Sequence, residues 1–251
     1  MSALLSLLQR EIIRFYRQPS RVIGVLAPPL LYWAVMGLGF GGGFDFNGEN
    51  SANYFFPGSI VMVVLFTSIF SMISVIEDRH SGFLQGVLVS PAPRWSIVLG
   101  KVLGATLLGV IQGGFLTLLL WFASGFPAWD QVVAAGLSLA AMSVVLAALG
   151  FVFAWRLDSV QGFHSVMNLV LMPMWILSGA LFPMASRGVM RLLMQGNPLQ
   201  YGLALFRSAL HGTLLWTDSG TVQCALVLSG FGLALLALSL VMMQLRGQEN
   251  A

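Results

Sequence analysis

Long apolar stretches alternate with short polar interruptions along most of the chain. Stretches free of Asp, Glu, Lys and Arg cover 22–44, 50–76, 102–129, 131–155, 159–186 and 219–245. Each contains the roughly 20 apolar residues with which a helix crosses a hydrocarbon core of about 30 Å. The pattern predicts an all-α membrane protein with six transmembrane helices centred on 22–39, 57–76, 97–123, 132–155, 163–182 and 222–245.

An even number of spans puts both termini on one side of the membrane. The side that carries the termini has nine of the basic residues: Arg10, Arg14, Arg17, Arg21, Arg79, Arg94, Lys101, Arg156 and Arg246. The other side has Arg187, Arg191 and Arg207. Because Lys and Arg concentrate in cytoplasmic loops, we expect both termini in the cytoplasm. The expected location is a bacterial plasma or inner membrane.

Residues 1–21 are patterned as an amphipathic helix lying on the membrane surface. Arg10, Arg14, Arg17 and Arg21 form a cationic stripe. The apolar side consists of Leu5, Leu8, Ile12, Phe15 and Tyr16. The arginines are predicted to anchor the helix at anionic head groups, and the helix is either a topology anchor alone or also a docking element. We expect Pro19 to end it, and because the following span is too long for a signal peptide, we expect the start to be retained.

A polar insert between the second and third spans, within 77–96, predicts a second short helix. Its apolar residues share one face: Phe83, Leu84, Val87 and Leu88. Pro91 disfavours helical geometry at Ser90, so this helix should end near Val89. A helix exposed between two spans would offer a soluble partner a contact surface.

Composition and isolated motifs exclude several other classes of function. Hydrophobic residues make up 57% of the chain and charged residues 8%, so lipid must cover much of its surface. The pI of 9.5 reflects topology, and no basic patch with interleaved aromatic residues predicts nucleic-acid binding. Cys224 stands alone, no Cys/His cluster predicts a metal site, and Gly100-Lys101 lacks the spacing of a phosphate-binding loop. We predict no catalytic, cofactor-binding or metal-binding residues.

Two sets of residues within the spans have mainly structural interpretations. Glycines recur on the third span at Gly100, Gly104, Gly109 and Gly113, and we expect them to pack helices within the chain. Asp158 and His164 fall at a cytoplasmic end beside Arg156, where a loop ion pair or a head-group contact is expected. Since no Asp, Glu, Lys or Arg lies near the centre of a predicted span, an ion-driven carrier is disfavoured.

Several motifs together resemble the ABC type-2 permease family. The cytoplasmic signature includes Glu77-Asp78-Arg79, Gly82-Phe83-Leu84, Val87-Leu88-Val89-Ser90-Pro91, Arg94 and Val98-Leu99-Gly100-Lys101. Further similar pieces are Leu177-Ser178-Gly179-Ala180-Leu181-Phe182-Pro183 and Asn197-Pro198-Leu199-Gln200-Tyr201, with Arg207 following. Within the family, the chain is most similar to drug-resistance and nodulation-factor exporter permeases.

The resemblance implies a half-transporter that dimerises with a second copy or a paralogue. Two copies of a separate ATPase would use ATP and Mg²⁺, while this chain binds no cofactor itself. The implied ATPase-coupling residues are Glu77, Asp78, Arg79, Gly82, Phe83, Leu84, Val87, Leu88, Pro91 and Arg94. The family's acidic position is neutral here, at Gln85, so Glu77, Asp78 or Arg79 is expected to supply charged contacts instead.

The resemblance also implies short re-entrant helices in the external region 183–212. Val189, Met190, Leu192 and Leu193 are typical of a short interfacial helix. Gly179, Pro183, Asn197 and Pro198 are expected to shape an external gate, in a structural role rather than by binding substrate.

The sequence thus predicts one ABC type-2 transmembrane domain over residues 1–251. We expect an ATP-driven exporter subunit that moves an amphiphilic, drug-like, lipid-linked or glycan-type substrate in contact with membrane lipids. An ion-coupled secondary transporter and a non-transporting membrane assembly protein are the alternatives.

Overall fold

The chain folds into a bundle of helices in the computed structural model, which describes residues 3–39, 45–46, 49–89, 93–181, 188–213 and 218–249. The helices are α1 (Ala3–Tyr16), α2 (Pro19–Gly39), α3 (Ser51–Phe70), α4 (Ile73–His80), α5 (Phe83–Val89), α6 (Arg94–Ser124), α7 (Trp129–Arg156), α8 (Val160–Trp175), α9 (Val189–Gln195), α10 (Pro198–Leu210) and α11 (Ser219–Glu249). The strands β1 (Asp45–Phe46) and β2 (Glu49–Asn50) pair antiparallel before α3.

The predicted six spans are confirmed by six helical segments long and apolar enough to cross a membrane. They are Pro19–Gly37, Tyr54–His80, Arg94–Phe122, Trp129–Arg156, Val160–Ala180 and Ser219–Gln244. The second segment contains both α3 and α4, joined by a turn at Ser71 and Met72. The fold class is therefore the predicted all-helical membrane protein, with one very short pair of strands in addition.

Helix α3 forms the centre of the bundle. The apolar window of its span is 94% buried, whereas the windows of the first and last spans are each 17% buried. Helices α2, α6 and α7 pack around α3. The apolar run of α3 therefore faces protein on all sides, while α2 and α11 are left with apolar surface that lipid can cover.

The glycines of α6 pack helices within the chain, as predicted. A methyl group placed on Gly100 would lie 3.0 Å from Leu7 Cβ, and one on Gly104 would lie 3.0 Å from Glu11 Cβ. One on Gly113 would lie 2.7 Å from a methyl group of Val64. Because glycine has no side chain, α1 approaches α6 closely at Gly100 and Gly104, and α3 does so at Gly113.

The expectation that Pro19 ends the N-terminal helix is wrong in one respect. Helix α1 already ends at Tyr16, and Pro19 is the first residue of α2. The first helical position suits proline because its missing N–H would have no intrahelical partner there.

Candidate functional site

The predicted coupling segment, residues 77–96, turns sharply at Gly82. Gly82 has a φ of 73°, a left-handed conformation that favours glycine, and α5 follows directly. Helix α5 ends at Val89, as predicted, while Pro91 lies outside the described residues. A methyl group on Gly82 would have no neighbour within 4 Å, so the backbone conformation, rather than close packing within this chain, accounts for the glycine.

The apolar residues of α5 are divided between the protein core and the surface. Leu84 is 5% exposed and belongs to the core, and Val87 packs partly buried against it. Phe83 is exposed at 36%, and Gly86 is exposed with open space around it. The surface that α5 offers is therefore narrower than the sequence pattern predicts, because Leu84 holds the helix to its own chain. The side chain of Leu88 lies outside the description.

A buried ion cluster lies next to α5 and includes Asp78 of the predicted coupling segment. The ammonium group of Lys101, on α6, donates hydrogen bonds to Glu11 Oε1 at 2.6 Å, to Ser74 Oγ at 3.0 Å and to Asp78 Oδ2. The side chains of Lys101, Glu11 and Asp78 are 2%, 5% and 1% exposed. This one lysine therefore links α1 and α4 to α6.

The arginines of α1 extend the same cluster. Arg10 donates to both carboxylate oxygens of Asp78, at 2.7 and 2.8 Å. Arg14 donates to Asp78 at 2.7 Å and to Glu77 at 2.6 Å, and the Arg10 guanidinium also lies 3.8 Å from the centre of the Phe83 ring. These hydrogen bonds raise the pKa of Arg10 above its usual value, so Arg10 stays charged.

This arrangement differs from the expected head-group contacts of the arginine stripe. Arg21 also approaches a carboxylate, at 3.4 Å from Glu77 Oε1, whereas Arg17 is exposed. A stripe of arginines is attracted equally by lipid phosphates and by protein carboxylates, and the acidic end of α4 lies opposite α1. The anchoring role stays a prediction, with Arg17 as the arginine that faces outward.

Glu11 and Lys101 are members of the cluster that sequence reasoning missed. Lys101 belongs to the Val98-Leu99-Gly100-Lys101 piece of the family signature, but no role was predicted for its charge, and Glu11 belongs to no motif that the sequence analysis identified. The available signal was the pair Gly100 and Gly104 on either side of Lys101, since small residues let α1 approach and bury the charge. A buried lysine in such a contact needs carboxylate partners.

Arg79 joins α4 to the end of α7. It donates to Asp158 Oδ1 at 2.8 Å and to the carbonyl oxygens of Ala154 and Leu157 at 2.6 and 3.1 Å. The ion pair expected for Asp158 beside Arg156 is therefore made with Arg79 instead. The last carbonyl groups of a helix lack intrahelical donors, and a cation there also interacts favourably with the helix dipole.

Arg94, the other cation of the coupling segment, is the first residue of α6. Its side chain is exposed, and its guanidinium lies 3.4 Å from the carbonyl oxygen of Gln244. It does not join the ion cluster around Lys101 in this arrangement.

Helix breaks and caps shape the opposite end of the bundle. After α8, a turn of π-helix at Ile176–Ala180 contains Gly179 with a φ of 90°. Asn197 caps α10 by accepting from Leu199 N at 3.0 Å, and it donates to the carbonyl oxygen of Met174 at 2.5 Å. Pro198 opens α10, and Pro183 lies outside the described residues.

The short helices α9 and α10 occupy the region predicted to contain re-entrant helices. The predicted apolar side chains of α9, Val189, Met190, Leu192 and Leu193, are exposed, while Met194 of the same helix is buried. Helix α10 is largely buried against α7 and α11. Their position relative to a bilayer stays a prediction. Among the described residues, no group of three or more His, Cys, Asp and Glu side chains could hold a metal ion.

Comparison with known proteins agrees with this architecture. The family described as ABC-2 type transporter matches residues 2–211. The chain is 29% identical to the "Daunorubicin resistance ABC transporter permease protein DrrB1" of Streptomyces coeruleorubidus, covering 89% of this chain and 80% of that protein. It is 24% identical to "Nodulation protein J" of Neorhizobium galegae, covering 77% and 75%. The chain belongs to the ABC-2 type transporter family and is a multi-pass membrane transport permease.

Proposed function

We propose that this chain is the membrane subunit of an ATP-driven exporter in a bacterial plasma membrane, with both termini in the cytoplasm. Two permease chains and two copies of a separate ATPase would form the working complex. The observation that carries the proposal is the ion cluster in which Lys101, Asp78 and Arg10 join α1, α4 and α6. The Arg10 guanidinium of this cluster also lies 3.8 Å from the centre of the Phe83 ring on α5. ATP and Mg²⁺ would be bound by the ATPase alone.

The ion cluster suits a part that transmits movement. Removing one partner from a buried ion pair typically costs about 3–5 kcal/mol, so such groups separate rarely. Helix α5 follows α4 directly, and its Phe83 ring lies against Arg10 of the cluster. A displacement of α5 would therefore carry α1, α4 and the end of α6 near Lys101 with it. Closure of an ATPase pair on ATP would reach the spans through this unit, as in other rigid-body transitions.

The contact surface for the ATPase would consist of the exposed side of α5. Phe83 supplies an apolar edge, and Gly82 and Gly86 leave the backbone accessible to a partner. Leu84 and Val87 would act indirectly, by holding α5 on the core. The charged contacts expected of Glu77 and Asp78 are made mainly within this chain, whereas Arg94, another predicted coupling residue, is exposed.

An amphiphilic cargo fits the relatives and the chemistry of the spans. The names of the two relatives connect them with daunorubicin resistance and with nodulation. The charged groups of the Lys101 cluster bind one another at one end of the bundle. They do not form a series of ionisable groups across the membrane, as a proton pathway would require. The helices α9 and α10 would close the external end of the path.

Co-purification of an ABC ATPase with the tagged permease in mild detergent tests the proposal. The variant Gly86→Trp adds a large ring to the exposed side of α5, where a side chain meets no neighbour in the fold. The control is Gln161→Trp, at an exposed position near the start of α8. We expect Gly86→Trp to lower ATPase recovery at least tenfold and the control to leave it unchanged. Equal recovery with both variants would place the docking surface elsewhere, and transport driven by an ion gradient without ATP would refute the proposed function.

A further inference from the structure

A cleft of about 330 Å³ opens at the cytoplasmic end, between the first turns of α2 and α8. The break between α3 and α4 forms its back wall. Gln18, Ser20, Arg21 and His164 make one side polar, and Val25, Phe70 and Ile73 make the other side apolar. The cleft therefore has the two-sided chemistry of an amphiphile.

Arg21 is the strongest indication of a ligand. Its side chain is 14% exposed, and within the described part of the chain its hydrogen bond is a single long one of 3.4 Å to Glu77. Glu77 is bound more closely by Arg14, at 2.6 Å. A guanidinium has five N–H donors, so this mostly buried cation has donors to spare for an anion in the cleft.

The apolar wall continues from the polar side toward the membrane interior. Val25 and Ile73 are 2% and 3% exposed, and the Phe70 ring packs 4.7 Å from the His164 ring. Gly24 leaves the entrance open, since a methyl group there would have no neighbour within 4 Å. The volume accommodates a head group with the first carbons of a chain, while the rest of a tail would remain in lipid.

We propose that this cleft binds the anionic head group of an amphiphilic cargo, presented from the cytoplasmic leaflet. Arg21 pairs with a phosphate, sulfate or carboxylate group, and Gln18, Ser20 and His164 add polar contacts. The first methylene groups lie along Val25 and Phe70. This inference rests on the proposed export function, because it assigns the class of cargo to that transporter.

Photo-crosslinking of the permease alone tests the site without an ATPase. The protein is placed in phosphatidylcholine nanodiscs with an alkyl phosphate that carries a diazirine near its head group. We expect labelling of peptides from the first turns of α2 and α8, competed by dodecyl phosphate at least tenfold better than by dodecyltrimethylammonium. Labelling spread over all lipid-facing helices, or equal competition by the cation, would overturn the proposal.

Three variants separate a ligand site from a structural role. Gly24→Leu fills the entrance while keeping Arg21 and its contact with Glu77, and Arg21→Gln removes the charge. Gly230→Leu is the matched control, because a side chain at Gly230 on α11 also meets open space. We expect labelling to fall at least fivefold in the first two variants and to be unchanged in the control. Wild-type labelling of Gly24→Leu would overturn the assignment.

Two further arms distinguish cargo from a resident anionic lipid. Nanodiscs that contain phosphatidylglycerol should still allow labelling, and dodecyl phosphate should stimulate ATP hydrolysis by the reconstituted complex in wild type but not in Gly24→Leu. Full displacement of the probe by phosphatidylglycerol would overturn the assignment to cargo. Specific labelling of a permease that recovers no ATPase would instead refute the proposed function and leave the anion site standing.

Discussion

The two ends of the bundle are held together by different kinds of bond. At the end that we propose to be cytoplasmic, Lys101, Asp78 and Glu11 form buried, charge-assisted hydrogen bonds. At the opposite, proposed outer end, the hydrogen bonds between described residues are mostly neutral, apart from one that Arg207 donates to Tyr54. Trp175 Nε1 donates to the carbonyl oxygen of Gly58 at 3.1 Å, and Asn197 donates to that of Met174. Neutral bonds are worth about 0.5–1.5 kcal/mol each, so the outer end can rearrange at lower cost than the cytoplasmic end.

The difference suggests a division of labour under the proposed function. A cytoplasmic end that moves as one piece can pass on a push from an ATPase, and an outer end held by separable contacts can open in response. Three substitutions test this contrast at bonds of decreasing strength.

Lys101→Met should have the largest effect. It leaves the carboxylates of Glu11 and Asp78 buried without the ammonium group between them, and we expect a loss of stability of about 3–5 kcal/mol. The measurement is the midpoint of thermal unfolding in detergent, with Arg94→Met as the control because Arg94 is exposed on the same helix. Adding Glu11→Gln should restore part of the loss. A Lys101→Met variant as stable as the control would contradict a structural role for the cluster.

Arg79→Glu should have an intermediate effect. It removes the donors to Ala154 and Leu157 and sets a carboxylate beside Asp158, so we expect a loss of about 2 kcal/mol. Asp158 is 82% exposed, and its ion pair alone should contribute little. Transport-coupled ATP hydrolysis is measured for Arg79→Glu and for Gln85→Ala, and we expect the Gln85→Ala variant to lose less of it. If both variants lost the same fraction of coupled ATP hydrolysis, Arg79 would not be more important for coupling than Gln85.

Asn197→Ala should have the smallest effect of the three. It removes the cap of α10 and the bond to Met174, and we expect a loss of about 1–2 kcal/mol. The control is Asn168→Ala, at an exposed position on α8. If the thermal midpoint fell as far for Asn197→Ala as for Lys101→Met, the contacts at the two ends would contribute equally to stability. That result would contradict the proposed difference between the ends.

Features encoded over short stretches of sequence were predictable. The length of each apolar run fixes a span, and Pro91 marks the end of α5 at Val89. The glycines of α6 also indicated helix packing, because a residue without a side chain allows close approach of whichever helix lies opposite. Six spans and their family could therefore be identified before any contact was known.

Features that depend on distant contacts were not predictable in the same way. Glu11 and Lys101 are separated by 90 positions, and nothing local shows that they meet. Leu84 shares an apolar face with Phe83, yet only the packing of α5 decides which of them enters the core. Glu77 and Asp78 on α4 were expected to face a partner, but they contact Arg10 and Arg14 of α1. These contacts are equally non-local, and so the sequence did not indicate them.

The buried contact between Glu11 and Lys101 also has a consequence for biosynthesis. Chains are synthesised at about 5–20 residues per second, so α1 leaves the ribosome roughly 5–18 s before the lysine that completes its site. During that interval, the amphipathic character of α1 suits a waiting position on the membrane surface. The contact with Lys101 cannot form until the third span has been synthesised, so α1 reaches its final place well after its own synthesis.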